Sequence, residues 1–83
     1  MNTQEFINLA IDKIVEQNTD LGILRSELEM TWYNHTIENK KALFAVITEY
    51  DSKDRYFEVT YCHAENSLTI DEYVANSKTK LQV

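Results

Sequence analysis

Residues 42–61 contain two apolar patterns separated by a short polar segment. Over residues 55–61, apolar and polar side chains alternate, which predicts a strand with one covered face. The alternation places three side chains on that face: Phe57, Val59 and Tyr61. Residues 42–47 are instead an unbroken apolar run, which is typical of a strand covered on both faces. The polar residues 51–54 suit a four-residue hairpin loop. We therefore expect adjacent antiparallel strands at residues 42–50 and 55–63.

Residues 3–17 predict an amphipathic helix. Apolar side chains recur at three- and four-residue spacing and form one stripe: Phe6, Ile7, Ala10, Ile11, Ile14 and Val15. Asn2 or Thr3 can cap the N-terminus, and Glu5 lies in the first turn, where the helix dipole favours an acid. Residues 17–26, which include Gly22, then connect the helix to the strands.

The remaining segments predict two more strands. In residues 27–35, Leu28, Met30 and Trp32 alternate with more polar neighbours, and residues 36–41 form a loop. Residues 68–75 favour a fourth strand, although Thr69 can also open a helix as part of a capping box. The predicted fold is therefore α+β. An N-terminal helix packs on a four-stranded antiparallel meander (α-β-β-β-β), with α-β-β-β-α as the alternative. We expect one domain over residues 1–83, with a fraying tail at residues 76–83.

Composition restricts the partners and the compartment. Fourteen acidic and eight basic side chains give a net charge of −6, which argues against direct nucleic-acid binding and against adsorption to anionic membranes. The N-terminus has no apolar signal region, and no apolar run reaches the length needed to cross a bilayer. A single cysteine, Cys62, cannot form an internal disulfide. We therefore expect a cytoplasmic protein without a membrane partner.

Enzyme chemistry finds little support in the sequence. Cys62 and His63 are neighbours on a strand, so their side chains point to opposite faces and cannot act as nucleophile and base. These two residues and His35 lack the spacing of a metal site, and one glycine is too few for a phosphate loop. Glu58 is the best acid/base candidate, yet alternation turns it outward. We expect no catalytic, metal or cofactor-binding residues, and hence no enzyme.

Aromatic side chains are numerous on the predicted strands, and a period of two cannot send all of them to the helix-covered face. Tyrosine and tryptophan on an open sheet face are typical of protein interfaces. The candidate protein-binding residues are Trp32, Tyr33, Leu43, Ile47, Tyr56, Glu58 and Tyr73. Cross-strand aromatic pairing that stabilises a small sheet is the alternative explanation.

Several acids are predicted to share one end of the sheet. This acidic edge consists of Glu27, Glu29, Glu49, Asp51 and Asp54. Carboxylates clustered in this way can imitate the phosphates of DNA and occupy a nuclease channel. Otherwise the acids serve only to keep the protein soluble.

Several short segments resemble a family of small uncharacterised proteins of phages and prophages of Gram-positive bacteria. The segments are Met1–Ala10, Trp32-Tyr33, Asn39-Lys-Lys-Ala-Leu43, Tyr56-Phe-Glu-Val-Thr-Tyr61, Asp71 and Tyr73. The resemblance implies a viral or prophage setting in the bacterial host cytosol, and it implies no activity. Together with the aromatic strands it suggests a non-enzymatic protein that binds a host protein and inhibits a defence or replication enzyme. A self-associating structural homodimer and an acidic DNA mimic remain the alternatives.

Overall fold

A computed structural model of the chain describes residues 1–48, 53–75, 79 and 81–82. Helix α1 (Thr3–Gln17) and a 3-10 turn (Arg25–Glu27) precede four strands. The strands are β1 (Leu28–His35), β2 (Asn39–Val46), β3 (Arg55–Cys62) and β4 (Ser67–Val74). They form one antiparallel sheet in the order β1-β2-β3-β4. The predicted α-β-β-β-β meander is confirmed, and the alternative of a helix in the last segment is wrong.

Helix α1 is flanked at both ends by asparagine caps. The Asn2 side chain accepts a hydrogen bond from the backbone N–H of Glu5 at 2.8 Å, which caps the first turn. At the other end, the buried Asn18 side chain donates to the Ile14 carbonyl at 2.7 Å. Gly22 then takes the left-handed conformation with φ +68°, which turns the chain towards the sheet.

The core lies between α1 and one face of the sheet, which we call the inner face. Phe6, Ala10 and Ile14 form the buried stripe of the helix. They pack with a cluster of buried residues: Ile23, Ala42, Phe44, Phe57, Val59 and Tyr61. The predicted inward positions of β3 are therefore confirmed, because alternation sends every second side chain to the helix side.

A β-bulge at Thr31 changes the predicted faces of β1. Met30 pairs with Phe44 and Trp32 pairs with the next residue along β2, Leu43, so Thr31 is an extra residue in the ladder. The predicted grouping of Leu28, Met30 and Trp32 on one face is therefore wrong. An extra residue reverses the alternation beyond it, which moves Trp32 away from the helix and turns Tyr33 towards it.

Strand β2 begins earlier than predicted, because β1 and β2 are joined by a tight turn. Thr36 donates its backbone N–H to the Asn39 carbonyl at 2.8 Å, and its hydroxyl accepts from the Asn39 N–H at 3.1 Å. The loop predicted over residues 36–41 is thus too long. Strand β2 ends at Val46, and residues 49–50 of the predicted strand lie outside the described residues, as do residues 51–52 of the predicted hairpin loop.

The prediction that β2 is covered on both faces is also wrong. Ala42 and Phe44 are buried, whereas Leu43 and Ala45 are half-buried and Ile47 is 60% exposed. Within the described part of the chain, α1 is the element that packs on the sheet, and it lies on the inner face. The opposite surface, which we call the open face, therefore contacts water.

Candidate functional site

Three rows of outward side chains cross all four strands on the open face. Paired residues in an antiparallel ladder share a face, so the register defines the rows directly. The first row is Glu29, Ala45, Tyr56 and Tyr73; the second is Trp32, Leu43, Glu58 and Asp71; the third is Asn34, Lys41, Thr60 and Thr69.

Three aromatic side chains give this face its apolar character. Trp32, Tyr56 and Tyr73 are 47%, 42% and 52% exposed, respectively. Half-buried Leu43 and Ala45 lie among them on β2. The result is a contiguous aromatic and aliphatic surface in water, the kind of surface that marks an interaction site.

The charges of the open face are predominantly negative. Its carboxylates belong to Glu29, Glu58 and Asp71, and its one cation in the described rows is Lys41. The Lys41 Nζ lies 3.3 Å from Glu58 Oε1. Glu29 and Asp71 are exposed and form no ion pair with any other described residue. The first two rows therefore carry uncompensated negative charge beside the aromatic rings.

A shallow depression of about 240 Å³ adjoins Trp32 at the polar end of the face. It is lined by Trp32, Asn34, His35, Thr36, Asn39, Lys41 and Thr60. Its walls combine the Trp32 indole and the His35 imidazole with amide, hydroxyl and ammonium groups, which suits a side chain with an apolar stem and a polar tip.

Two of the predicted binding residues lie outside the three rows of the open face. Tyr33 faces the helix, where its ring centroid is 6.1 Å from that of Phe6 and its hydroxyl lies 3.1 Å from Thr3 Oγ1. Ile47 follows the last residue of β2, and its N–H donates to the Glu27 carbonyl at 2.8 Å. The other five predicted residues, Trp32, Leu43, Tyr56, Glu58 and Tyr73, share the open face.

Three residues of the predicted acidic edge are described, and they lie at the same end of the sheet. Glu27 and Glu29 flank the start of β1, and Asp54 directly precedes β3. The Glu27 carboxylate accepts the backbone N–H of Leu24 at 2.9 Å, so it caps the 3-10 turn. Glu49 and Asp51 lie outside the described residues.

A second groove, of about 540 Å³, lies on the inner side between α1 and β4. It is lined by Leu9, Lys13, Gln17, Asn18, Phe57, Leu68, Ile70 and Glu72. Its two charged groups have partners: Lys13 pairs with Glu16 at 3.2 Å, and Glu72 pairs with Arg55 at 3.0 Å. Its charged groups are therefore already engaged within the chain.

The described residues bring together no group of three or more His, Cys, Asp and Glu side chains that could hold a metal ion. Cys62 is half-buried and His63 is exposed. No helix among the described residues is both long and apolar enough to cross a bilayer.

Comparison with known proteins identifies a family. The chain belongs to the Family of unknown function (DUF6275), whose model matches residues 2–83. It matches no curated protein and no solved structure.

Proposed function

We propose that this DUF6275 protein is a non-enzymatic binding domain that engages another protein through its open face. The observation that carries the proposal is the exposure of Trp32, Tyr56 and Tyr73, at 42–52%, on a sheet face that the described chain leaves uncovered. Tryptophan and tyrosine supply much of the binding energy at protein interfaces, because each buries a large rigid surface.

The ring contacts support an external partner over a purely structural role. Among the described residues, ring contacts involve Tyr33 and Tyr61 on the inner side, and none involves Trp32, Tyr56 or Tyr73. Aromatic rings that stabilised the sheet by cross-strand pairing would contact one another. Tyr56 and Tyr73 are register partners, yet their rings remain available to another surface.

The exposed apolar area of the three aromatic side chains determines how much of the open face a partner must cover. Covering the exposed half of three aromatic side chains removes roughly 300 Å² from water, since each ring system has about 150–250 Å² to bury. At about 25 cal/mol per Å², this gives roughly 7 kcal/mol before the costs of association. Those costs are about 4–15 kcal/mol, so stable binding also needs Leu43, Ala45 and the polar rows. We therefore expect the partner to cover most of the open face.

Sequence resemblance supports a proposal for the setting of the target. Segments such as Trp32-Tyr33 and Tyr56–Tyr61 resemble those of small phage and prophage proteins of Gram-positive bacteria. This supports a host protein in the bacterial cytosol as the partner, with inhibition of a defence or replication enzyme as the outcome. The acidic DNA mimic receives less support, because the Glu27 carboxylate is already bound to the chain's own backbone.

The experiment compares capture of host proteins by the wild type, Trp32→Ala and Tyr56→Ala. Leu24→Ala is the matched control, since Leu24 is an apolar residue with 62% exposure in the connector before the sheet. Each retained protein is then purified and its affinity measured by calorimetry. We expect at least about tenfold weaker binding for both aromatic variants, as for truncated hot-spot residues, and no change for the control. Equal affinity of all four proteins for every captured partner would overturn the proposal.

A further inference from the structure

We infer that the open face accepts an arginine side chain from a foreign protein, and this inference rests on the proposed function. The arginine would lie in a trough whose floor is the small side chain of Ala45. Ala45 lies in the first row between the longer side chains of Glu29 on β1 and Tyr56 on β3. Tyr73 follows Tyr56 in the same row. Neighbouring strands are about 4.8 Å apart, so the two walls of the trough are separated by roughly 10 Å at their backbones. A planar guanidinium fits this width.

The chemistry of the walls matches a guanidinium. Tyr56 is 42% exposed and offers a ring face for stacking, and Glu29 offers an exposed carboxylate on the opposite wall. Arginine stacks on aromatic faces and binds carboxylates through its planar fork of N–H groups. Lysine has no such plane and interacts with both groups as a point charge. Asp71, one row away beside Tyr73, adds further negative potential. We therefore expect arginine to bind better than lysine.

The lysine of the open-face rows and both arginines are engaged elsewhere. Lys41 pairs with Glu58 at 3.3 Å, Arg25 pairs with Asp12, and Arg55 pairs with Glu72 at 3.0 Å. Glu29 and Asp71 have no ion-pair partner among the described residues. A cation from a foreign protein would therefore complement these two carboxylates.

A second copy of the chain is a poor source of that charge. Sheets that pack face to face in an aligned manner keep their strands within about 30° of one another. If the two-fold axis runs across the strands through the second row, Glu58 and Asp71 each face their own copies. If the axis runs along the strands, the same carboxylates face the partner's Leu43 and Trp32. Both arrangements remove the Asp71 carboxylate from water without an opposing cation, which costs free energy.

The test uses pentapeptides of alternating arginine and leucine, with lysine–leucine and glutamate–leucine peptides as probes of charge type. Each is titrated into isotopically labelled protein and followed by NMR. We expect the arginine peptide to shift resonances of Trp32, Ala45, Tyr56 and Tyr73, and to bind at least about threefold more tightly than the lysine peptide. Equal binding of the glutamate peptide, or shifts confined to other surfaces, would overturn the inference.

Charge variants locate the site. Glu29→Gln and Asp71→Asn should each weaken binding of the arginine peptide about fivefold or more. Asp20→Asn is the control, because it changes the net charge equally at an exposed position in the connector. Identical weakening in all three variants would mean a general charge effect and would refute the trough.

The two proposals fail in different ways. If Trp32→Ala abolishes capture of a host protein but the Glu29→Gln/Asp71→Asn double variant retains full affinity for it, the binding face stands and the arginine inference is wrong. If neither change affects any captured partner, the proposed function fails. Sedimentation of the wild type at high micromolar concentration completes the test. A dimer that is lost in Trp32→Ala would assign the face to self-association and overturn the inference.

Discussion

Leu43 and Phe44 are neighbours in one apolar run, and truncating each to alanine should separate the two faces of the sheet. Phe44 is fully buried in the core against α1. Leu43 is half-buried on the open face, with Trp32 and Glu58 as its register partners on the adjacent strands. The structure therefore predicts unequal losses of stability from two adjacent residues.

The expected loss of stability in each variant follows from how deeply the side chain is buried. Phe44→Ala removes a fully enclosed ring and should cost about 3–5 kcal/mol, the usual range for such cavities. Leu43→Ala loses lateral contacts only and should cost about 1–2 kcal/mol, below the 2–5 kcal/mol of an enclosed leucine. At about 4–8 °C per kcal/mol for a domain of this size, Phe44→Ala lowers Tm by at least about 12 °C. An 83-residue chain has a total stability of about 4–12 kcal/mol, so this loss is severe.

Urea unfolding followed by far-UV circular dichroism measures both variants. Circular dichroism is preferable to fluorescence here, because Trp32 is the register partner of Leu43 and its emission will respond to the substitution itself. If Phe44→Ala does not fold, Phe44→Leu supplies a milder change at the same site and should still cost more than about 1 kcal/mol. Equal losses for Leu43→Ala and Phe44→Ala would refute the uncovered face. A protein-concentration dependence of that loss would point to a second copy as the cover.

Three further predictions concern turns and surface charges. Gly22→Ala should destabilise the fold by about 1–2 kcal/mol, because Gly22 has φ +68°, a left-handed conformation that alanine disfavours. The cost is conformational, since no atom of the surrounding structure lies within 4 Å of the added Cβ, and an unchanged Tm would contradict this prediction. Asn66→Ala should cost about 1–2 kcal/mol, since Asn66 has φ +49° and accepts a 3.0 Å hydrogen bond from the Tyr61 hydroxyl, whereas Asn66→Gly should cost less. A double-mutant cycle of Lys41→Met and Glu58→Gln should give a coupling energy below about 1 kcal/mol that vanishes in molar salt, because both side chains are partly exposed; a larger, salt-resistant coupling would contradict it.

The helix and the core of β3 were predictable from local pattern. Phe6, Ala10 and Ile14 recur at four-residue spacing, and every second residue of β3 is apolar. Each pattern has a single arrangement that buries all its apolar members. Local sequence and tertiary packing therefore favour the same structure, which is why these elements match the prediction closely.

The bulge at Thr31 was not predictable, because the alternation of Leu28, Met30 and Trp32 is locally consistent without it. The reversal is favoured by contacts distant in sequence. The ring centroid of Tyr33 lies 6.1 Å from that of Phe6, and the Tyr33 hydroxyl lies 3.1 Å from Thr3 Oγ1. The alternation of residues along one strand does not depend on a helix that packs on that strand from elsewhere in the chain, so it could not reveal the bulge.

The composition of the open face was predictable in part. The exposed tyrosines and tryptophan were identified as aromatics in excess of one covered face. Ala45 and Asp71 were missed as members of the site, although Asp71 shares its alternation with Tyr73 and could have been placed beside it. The apolar run in β2 misled for a physical reason. Leu43 and Ala45 are covered laterally by neighbouring strands, and lateral cover produces the same sequence pattern as a second layer.

Stability and the proposed binding are separable in this fold because they involve opposite sides of one sheet. The inner face places its buried aromatics against α1, and the open face adds little to the core beyond lateral contacts. Thr31 is the exception, since a single bulge assigns Tyr33 to the core and Trp32 to the open face. The bulge at Thr31 thus places Tyr33 against the core and, at the same time, places Trp32 on the proposed binding surface. A change of register at this point would lose both at once, whereas substitutions at Trp32 or Tyr73 alter the surface alone.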